Sequence, residues 1–150
     1  MDKATFGGGC FWGIQHLFNK HFNLPSRVGY AFPKHGGEPI EAIEIQFHPE
    51  SISYAKLVEF FYRIHDPTTL NQQGPDIGSK YRSAILYHTE IQRQTAERLT
   101  QEIGATRYAG KRIVTEIVEA GNFDEAEDKH QNYIESNPET PLCPAHFLRW

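Results

Sequence analysis

A chain of 150 residues, 39% hydrophobic and 23% charged, has ordinary globular composition and buries about two thirds of its unfolded surface in one core without a metal or disulfide framework. A net charge of -4 with no basic run argues against a dedicated nucleic-acid binder, and no apolar stretch approaches membrane-spanning length. Met1-Asp2-Lys3 opens no signal peptide and the two cysteines make no secreted disulfide framework, so a cytoplasmic protein with a transient, catalytic cysteine pairing is expected.

Short strands and helices alternate without repeats or low-complexity linkers. Residues 3–6 end a first strand, and Ile14, Leu17 and Phe18 recur at helical spacing after it. Residues 43–47 alternate as a strand. Ser53 caps a helix whose Leu57, Val58, Phe61 and Ile64 share one face. A loop rich in Pro, Gly, Asn and Asp spans 66–78, and a strand is expected over 83–87. Thr89-Glu90-Ile91-Gln92 reads as a capping box for a helix carrying Leu99 and Ile103 and closed by Gly104. A last strand is expected over 113–118 and a last helix over 124–135. Such mixing implies one α/β (α+β) domain over 1–150, a two-layer sandwich, with a C-terminal tail at 137–150.

The chemistry is concentrated at residues 7–13, Gly-Gly-Gly-Cys-Phe-Trp-Gly, where Cys10 stands near a helix start. The first amides of a helix lack intrahelical partners and the macrodipole favours an anion there by roughly 0.3–1 kcal/mol. A thiol so placed is expected to have its pKa drawn from about 8.5 towards about 3.5–7.5, giving the nucleophilic thiolate. The glycines permit close substrate approach, and Phe11 and Trp12 offer an apolar wall. An inert core cysteine and an anion-binding turn are the alternatives. Three preceding glycines and two following aromatics favour the reactive reading, and the glycine spacing fits neither a phosphate loop nor a dinucleotide fingerprint.

Gly9-Cys10-Phe11-Trp12-Gly13 resembles the active-site signature of the peptide methionine sulfoxide reductase A family, and the likeness continues in chain order. Gly29-Tyr30 resembles its first tyrosine, Glu41-Ala42 with Ile43, Ile45 and Phe47 its glutamate segment, and the run from Gln73 to Ser83, containing Tyr81, its second tyrosine segment. Thr115-Glu116-Ile117 and the run from Ala126 to Tyr133 extend the likeness over nearly the whole chain. The blocks at Cys10 and Tyr81 are the specific ones. Two places depart from the pattern. The segment between Tyr30 and Glu41 is short, with Glu38-Pro39-Ile40 in place of a Gly-His-Ala lead-in, and the tail Pro141-Leu142-Cys143-Pro144-Ala145-His146-Phe147 lacks the family's glycine-rich cysteine pattern.

The resemblance implies a mixed sheet with packed helices and reduction of the S epimer of methionine sulfoxide, free or in proteins, as a repair after oxidation. It implies no bound cofactor or metal, an external dithiol such as thioredoxin, and a monomer is expected. Reduction needs a thiolate and a proton donor facing one substrate atom. Glu41, partly buried among Ile40, Ile43 and aromatics, is the candidate donor. By the match, Tyr30 and Tyr81 hold the sulfoxide oxygen, Phe11 and Trp12 the methyl group, and Asp76 positions backbone or water; Asp76 reads equally as a turn residue beside Pro75. Attack leaves a sulfenic acid on Cys10, which Cys143, the only other thiol, resolves as a disulfide if the tail brings it there; otherwise an external thiol does. A divergent member with weak activity, a cysteine hydrolase pairing Cys10 with His130 near Asn132, and a metal module built on Cys143, His146 and His130 are the rival readings.

Overall fold

The computed structural model describes residues 1–150 as one α+β domain with a mixed sheet and four helices. Five strands, β1 (Asp2–Gly7), β2 (Ser26–Pro33), β3 (Ile40–Phe47), β6 (Ala84–Tyr87) and β7 (Glu116–Glu125), close on themselves in the order β1-β3-β2-β7-β6. Only β6 and β7 run parallel; the other neighbours are antiparallel. The expected layers are present, with the sheet layer curled until its edges pair.

Alternation along the strands separates two cores. Ala4 and Phe6 of β1 and Ile43, Ile45 and Phe47 of β3 face the helices α1 (Phe11–Phe22) and α2 (Tyr54–Ile64). Phe6 stacks on Phe18 and Phe61 with ring centroids 5.8 and 5.0 Å apart. Burying each such side chain contributes roughly 1.5–3 kcal/mol. The opposite parity, Ile40 and Ala42 with Ala31, Ala84 and Leu86, fills the barrel interior.

Both expected caps form. Ser53 Oγ accepts from the Lys56 amide, and Thr89 Oγ1 from the Gln92 amide at the start of α3 (Glu90–Thr106). The Gln92 side chain reaches one residue further back than a capping box requires, accepting from the His88 amide. Gly104 does not close α3, which runs on to Thr106; the Ile113 side chain lies over Gly104, where a Cβ would come within 3.3 Å of it. The loop at 66–78 contains a small hairpin, β4 (Gln72–Gln73) and β5 (Asp76–Ile77), that leads into a 3-10 turn at Ser79–Tyr81.

The C-terminal quarter departs from the sequence expectation. The strand expected over 113–118 begins at Glu116 and continues to Glu125, so no helix spans 124–135. β7 pairs first with β6 (Ala84↔Glu116 to Tyr87↔Glu119) and then crosses to β2 (Ala31↔Phe123 to Gly29↔Glu125), which keeps 116–125 extended. The Gln131 side chain bridges the amide and carbonyl of Val28 and the carbonyl of Ala126, and Asn132 is left-handed at φ 52. Only a 3-10 turn at Asp128–His130 and the short α4 (Tyr133–Ser136) remain helical.

Candidate active site

β1 delivers the chain to Gly8 and Gly9, and α1 begins at Phe11, so Cys10 is the residue that caps the helix. Gly9 has φ 97, a left-handed conformation that suits glycine. Beneath this turn lies fully buried His65, whose pKa burial lowers to about 3. The neutral ring donates from Nδ1 to the Phe61 carbonyl at 2.6 Å and accepts at Nε2 from the Ser83 hydroxyl at 2.7 Å. This ties α2 and the start of β6 under the cysteine turn.

The charge state of Cys10 corrects the sequence expectation. Burial is the main influence and, against the opposing Trp12 amide, the thiol is pushed up to about 11; the carboxylates of Glu41 and Asp76 add to the rise and the Gly13 amide subtracts from it. The helix amides do favour the anion as expected. They are outweighed because β3 and the β4–β5 hairpin bring two carboxyl groups to a partly buried sulfur. At neutral pH Cys10 is therefore a thiol.

Glu41 is 7% exposed and accepts a hydrogen bond from the Phe11 amide at 3.3 Å, which places its carboxyl at the first turn of α1 beside Cys10. Burial raises its pKa above the ordinary carboxylate value despite the Phe11 amide and Lys80, whose Nζ lies 3.6 Å from Oε2. The same ammonium lies 5.0 Å from the centre of the Tyr81 ring, so Lys80 joins the glutamate to the second tyrosine. Tyr30 stands directly opposite Glu41 in the β2–β3 ladder. The register runs unbroken from Ser26↔Ile45 to Ala31↔Ile40, so the short connection between these strands leaves the Tyr30–Glu41 pairing intact.

An aromatic wall completes the site. Phe11 lies 5.7 Å from the rings of both Tyr30 and His130. Trp12 stacks on Tyr133 at 3.8 Å with an interplanar angle of 7°, and its Nε1–H donates to His130 Nδ1 at 3.1 Å. Cys10, Phe11, Trp12, Tyr30, Glu41, Asp76 and Tyr81 are thus gathered at one end of α1. Sequence reasoning did not assign the supports: His130 and Tyr133, which fix the Trp12 ring, and Lys80. Tyr133 lay within a run that matched the family, but its contact with Trp12 depends on the fold of the last 30 residues.

Cys143 also reaches this region. Its thiol points at the Gln73 carbonyl, 3.6 Å away, and burial is the first cause of its raised pKa, with Asp76 adding to it. Asp76 therefore bears on both cysteines. Both are free thiols.

The rival constellations are not assembled. His130 is engaged by Trp12, and the side-chain charges bearing on Cys10 are carboxylates, the reverse of what a cysteine hydrolase needs. His146 is seated on Gly8, and no group of three or more His, Cys, Asp or Glu side chains has the geometry to hold a metal ion. No helix is long and apolar enough to cross a membrane.

Comparison with known proteins points one way. The family profile described as "Peptide methionine sulfoxide reductase" matches residues 2–149. The chain is 42% identical to a probable peptide methionine sulfoxide reductase of Schizosaccharomyces pombe, over 100% of this chain and 98% of that protein. Its structure superimposes on Mxr1 of Saccharomyces cerevisiae in reduced form with a TM-score of 0.92 at 33% identity, covering 99% of this chain and 92% of that one. Mxr1 in complex with Trx2 matches with a TM-score of 0.74 at 29% identity, over 99% and 90% of the two chains.

Proposed function

The chain belongs to the peptide methionine sulfoxide reductase A family, and from that premise we propose how its own residues perform the reaction. It is an oxidoreductase that reduces methionine sulfoxide with thiols and is recycled by a thioredoxin-type dithiol. Cys10 Sγ attacks the sulfoxide sulfur while Glu41 passes its proton to the oxygen. The substrate's S–O bond breaks, the hydroxyl ends on Cys10 as a sulfenic acid, and the thiol proton returns to Glu41. Methionine sulfoxide is reduced by two electrons and Cys10 is oxidised by two.

Tyr30 and Tyr81 bind the oxygen as charge develops on it, Phe11 and Trp12 hold the methyl group, and Asp76 positions the polar side of the site. The Cys143 thiol then condenses with the sulfenic acid, releasing water and leaving a Cys10–Cys143 disulfide for the external dithiol to open. The protein works as a cytoplasmic monomer on the S epimer, free or in proteins.

The observation that carries this reading is a buried carboxyl group with a raised pKa held at the same helix end as the cysteine, through the Phe11 amide. Such a group keeps a proton to give at the pH where an ordinary glutamate has lost it. Each epimer of methionine sulfoxide, assayed with dithiothreitol, tests it: the S epimer is expected to turn over and the R epimer to remain. Turnover of neither, or of the R epimer alone, would remove the reading.

A further inference from the structure

The mechanism makes no use of His146, a buried and titratable side chain. His146 is 3% exposed, three residues beyond Cys143, and its Nε2–H donates to the Gly8 carbonyl at 2.7 Å. Burial lowers its pKa, so the ring is neutral at neutral pH with its proton on the bonded nitrogen. Nδ1 is buried without a partner.

The surface under this ring is shaped to receive it. A Cβ on Gly13 would lie 2.4 Å from Nδ1, and one on Gly9 would lie 3.0 Å from Nε2 and 2.8 Å from the Gln73 side chain. Glycines at both positions therefore leave the space that the imidazole fills. The glycine run serves the tail as well as the approach to Cys10.

The tail is fastened at the thiol by the hairpin and beyond it by this contact. The His146 amide donates to the Cys143 carbonyl at 2.9 Å, closing a turn over Cys143-Pro144-Ala145-His146. Ala145 and Cys143 Sγ both pack against Gly74, where a Cβ would lie 3.3 and 3.5 Å from them. Further on, the Arg149 amide donates to the Arg63 carbonyl at 2.8 Å, and the Arg63 side chain donates to the Trp150 carbonyl at 2.6 Å. The Cys143 thiol is carried on a docked segment that His146 anchors to the glycines flanking Cys10.

We propose that His146 is a positioning residue for disulfide formation: seated on Gly8, Gly9 and Gly13, it holds the Cys143 turn where its thiol meets the Cys10 sulfenic acid. The inference rests on the reading of Cys143 as the resolving thiol. A displaced tail lowers the effective concentration of Cys143 at Cys10, and a lost positioning contact of this kind slows such a step by about 10²-fold.

The test follows intact protein mass and methionine release after mixing with one equivalent of methionine sulfoxide, without reductant. Wild type should release one methionine and lose two hydrogens as the disulfide closes. His146→Ala should still release methionine, then persist with one added oxygen while the disulfide forms about 10²-fold more slowly. His146→Gln, which keeps an N–H donor near the ε position, should recover much of the rate, a rescue that general loosening of the tail would not allow. Disulfide formation at the wild-type rate in His146→Ala overturns the inference and leaves the Cys143 reading standing. Absence of the disulfide in wild type overturns both. Loss of methionine release in His146→Ala also overturns it, because the residue would then serve the Cys10 site itself.

Discussion

Replacing Cys10 with serine is expected to lower methionine sulfoxide reduction by roughly five to six orders of magnitude, the scale on which loss of an enzyme's nucleophile acts. A serine hydroxyl at this position would gain the same Trp12 and Gly13 amides, but it cannot accept the oxygen atom as a sulfenic acid does. The substitution is nearly isosteric and the sulfur is only partly buried, so the fold should survive, as unchanged thermal unfolding would verify. Residual activity near that of wild type, measured with dithiothreitol so that recycling by Cys143 is immaterial, would place the chemistry elsewhere.

Glu41→Gln is expected to slow the reductive step by about 10²–10⁴-fold, the usual contribution of a positioned acid. Gln still accepts the Phe11 amide hydrogen bond and still fills the pocket between β3 and α1, so substrate binding should change little. The loss belongs in the single-turnover rate, because a donor acts in the transition state. The pH dependence has a definite sign. Wild-type rate should fall as pH rises through the raised pKa of Glu41 and its proton is lost, and the variant, having no such proton, should lack that limb. Stability runs in the compatible direction. A folded pKa above the unfolded value means that folding favours the protonated form, so the contribution of Glu41 is fully present below the unfolded pKa and declines as pH rises through the folded one. The glutamine variant escapes that decline, so slow turnover at neutral pH cannot be assigned to unfolding. A single-turnover rate equal to wild type would end the donor role.

How much of this was legible before the structure depended on distance along the chain. Cys10, Phe11 and Trp12 are consecutive, and the glycine run with the helical spacing of Ile14, Leu17 and Phe18 located them at a helix start. Ser53 and Thr89 marked their helices because capping is a contact over three residues. Tyr30 and Glu41 could be assigned by resemblance, and the ladder that sets them face to face needs only two strands and a short turn. The ionisation of Cys10 was not legible. The helix amides favour the anion locally, but burial and the carboxylates of Glu41 and Asp76 come from remote segments and prevail.

The region after residue 113 failed for a related reason. Polar residues from 124 to 135 look helical in isolation, whereas pairing of Gly29 and Tyr30 with Glu125 and Asp124, and the Gln131 bridge to Val28, make the start of that span part of the barrel. His146 was read only as part of a metal module with Cys143 and His130, and its docking on the cysteine turn carried no signal. Its partners are Gly8, Gly9 and Gly13 at the other end of the chain, and glycines announce available space without saying what fills it.

The account stands on transfer of oxygen to one sulfur, and a direct measurement is peptide mass mapping of Cys143→Ser protein after one equivalent of methionine sulfoxide without reductant. One methionine released per chain with one oxygen gained on the peptide bearing Cys10 is the predicted result. Methionine released while that peptide stays unmodified would contradict it.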